Sequence, residues 1–74
     1  MDVTVALYET LKTHCPEGGR VRLEAGACVA DLLARLGIAE EDVGFLVVNR
    51  KDARFNQVLE EGDVVTVIPP MGGG

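Results

Sequence analysis

The chain has 74 residues, 47% of them hydrophobic, and a net charge of −5 from seven Lys and Arg against 12 Asp and Glu. This acidic balance argues against nucleic acid as a partner, because phosphate binding needs a basic face. A domain this small buries only about 60% of the surface of its unfolded chain, which leaves too little core to enclose an active-site cavity. The polar N-terminal segment predicts neither a signal peptide nor a membrane span, and we expect a cytoplasmic protein.

Two paired strands are predicted at the start of the chain. Residues 3–7, VTVAL, alternate apolar and smaller or polar side chains with the period of a half-buried strand. The same alternation recurs at residues 20–24, RVRLE. The intervening LKTHCPEGG contains Pro16, Gly18 and Gly19, which predict the turn of a hairpin.

A single helix is predicted next. Its apolar stripe has the spacing i, i+3, i+4 and i+7 and consists of Val29, Leu32, Leu33 and Leu36. Asp31 lies in the first turn, and Gly37 stands where a left-handed C-cap belongs. The N-cap falls near Cys28 rather than Ser, Thr or Asp, so we expect the helix to begin without the best cap.

The second half of the chain predicts further strands. Residues 45–49, FLVVN, form an apolar run typical of a central strand, and the polar residues 50–57 predict a loop or a short edge strand. EEGD at 60–63 predicts a turn before a last strand at 64–68, which Pro69 and Pro70 end. This order predicts an α+β fold, the β-grasp or ubiquitin-like roll, in which one main helix packs on one face of a small mixed sheet.

We therefore divide the chain into one domain, residues 1–68, and a flexible C-terminal tail, residues 69–74, PPMGGG. Two prolines project an extended segment from the domain, and the glycines have no side chain to obstruct a narrow channel. Six extended residues reach about 20 Å, enough to carry the carboxylate of Gly74 into a pocket of a partner. A frayed end is the alternative interpretation of this tail.

The body of the domain predicts no catalytic or metal site. His14 is the only histidine and lies next to Cys15, but no third orienting group is evident, which favours a solvated loop without a special role. Two cysteines and one histidine lack the spacing of a structural zinc site, and a disulfide framework is not expected. Cys28 is interpreted as a small buried apolar residue.

With these elements placed, the sequence resembles the ubiquitin-like sulfur carriers of the MoaD and ThiS type over nearly its whole length. The similar segments are VTVALY, VADLLARLGI, FLVVNR and, above all, EEGDVVTVIPPMGGG. Gly62-Asp63 and Val65 match the family's turn and last strand, and Pro69-Pro70 match its prolines. Met71 and Gly72 occupy the variable pair, and Gly73-Gly74 match the terminal diglycine. The double proline resembles the small subunit of molybdopterin synthase more than the thiamine carriers.

This resemblance implies a carrier or cosubstrate rather than an enzyme. An activating enzyme of the MoeB or ThiF type would adenylate the Gly74 carboxylate with ATP and Mg, and a sulfur donor would then convert it to a thiocarboxylate. The chain lacks a phosphate-binding loop, which fits nucleotide chemistry supplied by the partner. The sulfur acceptor would be the large subunit of molybdopterin synthase or a thiazole synthase. A carrier for another metabolite, a modifier joined to lysine and a non-covalent binding module stay open.

A partner-docking face follows from strand alternation. If Val65 and Val67 pack against the helix, the neighbouring side chains of the same strand point to the opposite face of the sheet, together with two from the FLVV strand. This docking face consists of Phe45, Val47, Val64, Thr66 and Ile68. A loop that crosses and covers these side chains is the alternative.

Overall fold

A mixed five-stranded sheet and one α-helix form the domain in the computed structural model, which describes residues 1–70. The strand order is β2-β1-β5-β3-β4. The strands are β1 (Asp2–Leu7), β2 (Arg20–Arg22), β3 (Phe45–Val48), β4 (Lys51–Asp52) and β5 (Val64–Ile68). The α+β roll predicted from the sequence is thereby confirmed. No helix within this part of the chain is long and apolar enough to cross a membrane.

The central pair of the sheet is parallel. β1 runs alongside β5 with Val5 opposite Val65, whereas β3 is antiparallel to β5 with Phe45 opposite Ile68. β2 and β4 add antiparallel strands at the two edges. As a result, β1 and β5 finish, and β3 begins, at the same end of the sheet, where the chain continues into Pro69.

The helix α1 (Val29–Leu36) packs its apolar stripe on one face of the sheet. Val29 and Leu32 are completely buried, as are Val65 and Val67 on the central strand. The core also takes in apolar residues from loops and from the other strands: Val3, Val5, Leu7, Leu11, Val21, Leu23, Leu33, Ile38, Leu46, Val48 and Leu59. Alternation on β5 thus directs Val65 and Val67 to the helix and the side chains between them to the opposite face of the sheet.

The connection between β1 and β2 differs from the simple turn that we predicted. It contains two 3₁₀ helices, Glu9–His14 and Glu17–Gly19. The first of these buries Leu11, which is 3% exposed and belongs to the core. The strands do pair as the hairpin pattern indicates, with Val3 opposite Val21, but the connection is part of the packed domain.

The start of α1 is better capped than the sequence led us to expect. Cys28 is the N-cap, and its backbone N–H donates a hydrogen bond of 2.9 Å to Oδ2 of Asp31. This bond satisfies a donor that a helix N-terminus otherwise leaves free. Gly37 forms the C-cap with φ 77°, in the left-handed region, as predicted.

Candidate functional site

The chain leaves the sheet where β5 ends, between two neighbouring segments. Glu9 and Thr10 border Ile68 and the two prolines on one side of this exit. On the other side, Gly44 donates its backbone N–H to the carbonyl oxygen of Ile68 at 2.7 Å. The exit is therefore formed by the segment that follows β1 and by the residue that precedes β3, the two strands that flank β5.

Gly44 lies against the proline pair, Pro69-Pro70, and is a residue that our sequence reasoning missed. A Cβ atom at this position would lie 2.7 Å from the carbonyl oxygen of Pro69 and 2.7 Å from Cα of Pro70. Such distances are closer than atoms in proteins tolerate, so the backbone path at the exit requires a glycine here. The sequence shows only a glycine directly before a predicted strand, and this position alone does not indicate a contact with the prolines.

The five residues of the predicted docking face lie together on the sheet surface opposite α1. Phe45 pairs with Ile68, and Val47 pairs with Thr66, across β3 and β5. Phe45 is 58% exposed and Val64 is 41% exposed, while the other three side chains are half-buried. The side chains of Phe45 and Val64 are exposed although all of residues 1–70 are in place. This argues against a loop within residues 1–70 that covers them.

A polar clamp borders this face at the end away from the exit. Asn49 has φ 51° and donates from Nδ2 to Oδ1 of Asp63 at 2.8 Å. Its Oδ1 accepts a hydrogen bond of 2.9 Å from the backbone N–H of Val64. The clamp ties the β3–β4 turn to the start of β5 and thereby fixes the edge of the docking face.

His14 is not the solvated loop residue that we expected. Its ring is half-buried, and Nδ1 lies 3.0 Å from the carbonyl oxygen of Leu36. Because a carbonyl oxygen only accepts, Nδ1 carries the proton in this contact. His14 therefore joins the first 3₁₀ helix to the end of α1.

The two thiols are both free, with Cys15 exposed and Cys28 half-buried. Hydrogen bonds from the backbone N–H of Cys28, and secondarily from its side chain, hold the pKa of Asp31 below its usual range. These contacts cap a helix. Within residues 1–70, no three His, Cys, Asp or Glu side chains come close enough together to hold a metal ion.

Most of the predicted C-terminal tail falls outside the described residues. Pro69 is half-buried and Pro70 is exposed at the exit. Met71, Gly72, Gly73 and Gly74, including the predicted adenylation site, lie outside the part of the chain that the structure describes. The division into a domain of residues 1–68 and a tail of residues 69–74 stays a prediction, although β5 does end at Ile68.

Comparisons with known proteins add to this geometry. A comparison with curated proteins finds no match. The small archaeal modifier protein 1 of Haloferax volcanii is 18% identical with a TM-score of 0.75, over 95% of this chain and 98% of that chain. Subunit 1 of molybdopterin converting factor from Pyrococcus furiosus is 24% identical with a TM-score of 0.75, over 96% of this chain and 99% of that chain.

A complex of subunits 1 and 2 of molybdopterin-converting factor from Helicobacter pylori also matches, at 25% identity and a TM-score of 0.62, over 100% of both chains. These similarities support the β-grasp fold. The model of the ThiS family matches residues 6–74, which include the last strand, the prolines and the glycines. The chain therefore belongs to the ThiS family and is a ubiquitin-like sulfur carrier.

Proposed function

We propose that the carboxylate of Gly74 is adenylated by an activating enzyme of the MoeB or ThiF type and is then converted to a thiocarboxylate. The observation that carries the proposal is the ThiS family match, which continues through the proline pair to Gly74. A carboxylate is a poor electrophile, so its activation needs a good leaving group. In the proposed role, the chain supplies the acyl group, while the partner supplies ATP, Mg and the catalytic residues.

The two steps have simple stoichiometry. An oxygen of the Gly74 carboxylate attacks the α-phosphorus of ATP, and pyrophosphate leaves, which produces the acyl-adenylate. Hydrosulfide, or a donor at the same oxidation level, then attacks the carbonyl carbon and expels AMP. The product is a C-terminal thiocarboxylate, and one proton is released when hydrosulfide is the nucleophile.

The docking face gives a physical reason why a partner would bind at this surface. Phe45 and Val64 expose apolar side chains on the same sheet face as Ile68, the residue that leads into the proline pair. Burial of these side chains against a partner would favour association through the hydrophobic effect. Contact at this face would also place the partner next to the point where the chain leaves the sheet.

Two changes to the predicted tail test the proposal directly. Deletion of Gly74 should abolish adenylate formation, and Gly73→Val should block it sterically, because the activating enzyme must close around bare backbone. Adenylate formation is measured as ATP–pyrophosphate exchange with the activating enzyme, and folding is checked by circular dichroism. Normal exchange by either folded variant would refute the proposal.

For the sulfur acceptor, we propose the large subunit of molybdopterin synthase, with this chain as the small subunit. The supporting observations are the proline pair after β5 and the similarity to subunit 1 of molybdopterin converting factor from two organisms. The competing acceptor is a thiazole synthase. Incubation of the thiocarboxylated protein with the large subunit of molybdopterin synthase or with thiazole synthase, each together with its own sulfur-accepting substrate, distinguishes them, since only the true pathway should convert the thiocarboxylate back to a carboxylate.

A protein modifier is the second candidate function, favoured by the similarity to the small archaeal modifier protein 1. In that role, a lysine amine rather than a sulfur donor would attack the adenylate or a later thioester. The discriminating observation is the presence of higher-mass conjugates in cells. Conjugates that disappear when Gly74 is deleted would support the modifier role.

A further inference from the structure

At the exit from the sheet, the backbone of the proline pair lies against Gly44, the residue directly before β3. A Cβ placed on Gly44 would meet the carbonyl oxygen of Pro69 at 2.7 Å, Cα of Pro70 at 2.7 Å and the carbonyl carbon of Pro69 at 2.8 Å. All three are backbone atoms, which cannot rotate away as the end of a side chain could. The space that a side chain would need at Gly44 is therefore filled by the proline pair.

The glycine is not required for its own backbone conformation. Within residues 1–70, the glycines with positive φ are Gly18, Gly19, Gly26, Gly37 and Gly62, and Gly44 is not among them. Any residue could adopt its φ, so conformational freedom does not explain the glycine. Close approach of the proline pair is the explanation that remains.

The contact matters because the hydrogen-bonded ladder ends at this point. The bond from the Gly44 N–H to the Ile68 carbonyl is 2.7 Å long. Pro69 and Pro70 have no N–H with which to continue the ladder. Packing against Gly44 can therefore hold the proline pair in place where hydrogen bonds from its own N–H groups cannot.

We infer that Gly44 is a positioning residue, which sets the direction in which the proline pair, and with it the chain to Gly74, leaves the domain. The inference rests on the proposed adenylation of Gly74. An alanine at position 44 requires its Cβ and the proline backbone to separate from 2.7 Å to an ordinary contact of about 3.4 Å, a relative shift of about 0.7 Å at the base of the tail. Misplacement of a reacting group by about 1 Å can lower a rate by roughly 100-fold.

The test compares Gly44→Ala with Gly26→Ala in the full-length chain. Gly26 has φ +91°, and a Cβ atom there would meet nothing within 4 Å, so alanine strains the backbone without touching the proline pair. Both proteins are assayed by ATP–pyrophosphate exchange with the activating enzyme, and their melting temperatures are measured. We expect Gly44→Ala to lower kcat by roughly tenfold to 100-fold, with KM for the carrier within about threefold of wild type. Gly26→Ala should keep the wild-type kcat.

A second variant tests the same contact from the other side. Pro70→Gly leaves Gly44 in place but releases the restricted φ of the proline, so its kcat should also fall. Wild-type kcat in Gly44→Ala or in Pro70→Gly would overturn the inference, as would an equal loss in Gly26→Ala. Absence of exchange with the wild-type protein would refute the proposed adenylation itself, so the two failures are distinguishable.

Discussion

Truncation of Phe45 offers a quantitative test of the docking face. Phe45 is 58% exposed, so most of its ring is available for a partner rather than for the core. Phe45→Ala removes this ring and the cross-strand contact with Ile68, a pair worth about 0.2–1 kcal/mol in a sheet. We therefore expect the variant to stay folded and to lose less than about 1 kcal/mol of stability.

The expected loss of binding follows from the exposed area. An aromatic side chain buries about 200 Å², and 58% of this is about 120 Å² that remains for a partner. At about 25 cal/mol per Å², complete burial of this area stabilises a complex by about 3 kcal/mol, which is roughly 100-fold in Kd. Because a partner need not bury the whole ring, we expect Phe45→Ala to weaken binding by roughly tenfold to 100-fold.

The assay is isothermal titration calorimetry of the carrier with its activating enzyme. Val58→Ala is the matched control, since Val58 is also 58% exposed but lies outside the five-stranded sheet, paired with Cys28 at the start of α1. The control should bind within about twofold of wild type, which corresponds to less than about 0.5 kcal/mol. A folded Phe45→Ala protein that binds as tightly as wild type would refute the role of this face.

Three further predictions concern the stability of the domain, measured by urea denaturation. Leu33 is 1% exposed, so Leu33→Ala should cost about 2–5 kcal/mol, and a cost below about 1 kcal/mol would contradict the packing described here. Asn49→Ala removes the hydrogen bonds to Asp63 and Val64 and should cost about 1–3 kcal/mol; an unchanged denaturation midpoint would show that the clamp contributes nothing. Because the pKa of Asp31 is lower in the folded state, its contribution to the free energy of unfolding is present at neutral pH and is lost as the pH falls through that lowered pKa. Asp31→Asn should thus destabilise the protein at neutral pH and converge with wild type in strong acid, and a difference that persists in acid would contradict this assignment.

Periodicity predicted the regular elements of this fold because each strand and the helix present a repeating apolar pattern. The stripe from Val29 to Leu36 specified α1, and the alternation on β5 specified which of its side chains face the helix. The capping of α1 could also have been predicted from the sequence. Asp31 lies three residues after Cys28, which is the spacing of a capping box with cysteine in the place of serine or threonine.

Contacts between distant parts of the chain could not be predicted in the same way. Leu11 stands alone as an apolar residue in a polar segment, so no periodic pattern indicated that it joins the core. The bond from His14 to Leu36 and the approach of Pro69 to Gly44 each join residues far apart in sequence. Such pairs depend on how the elements pack in three dimensions, which the periodicity of each segment does not indicate. The chemistry expected at Gly74 came from the resemblance to a family.

If Gly74 carries sulfur, the mass of the intact protein will show it. The protein is incubated with its activating enzyme, ATP and sulfide, and the variant without Gly74 is treated in parallel. We expect a mass increase equal to the exchange of one oxygen for sulfur, in the full-length protein alone. An unchanged mass, with an activating enzyme that demonstrably forms the adenylate, would contradict the sulfur-carrier chemistry proposed here.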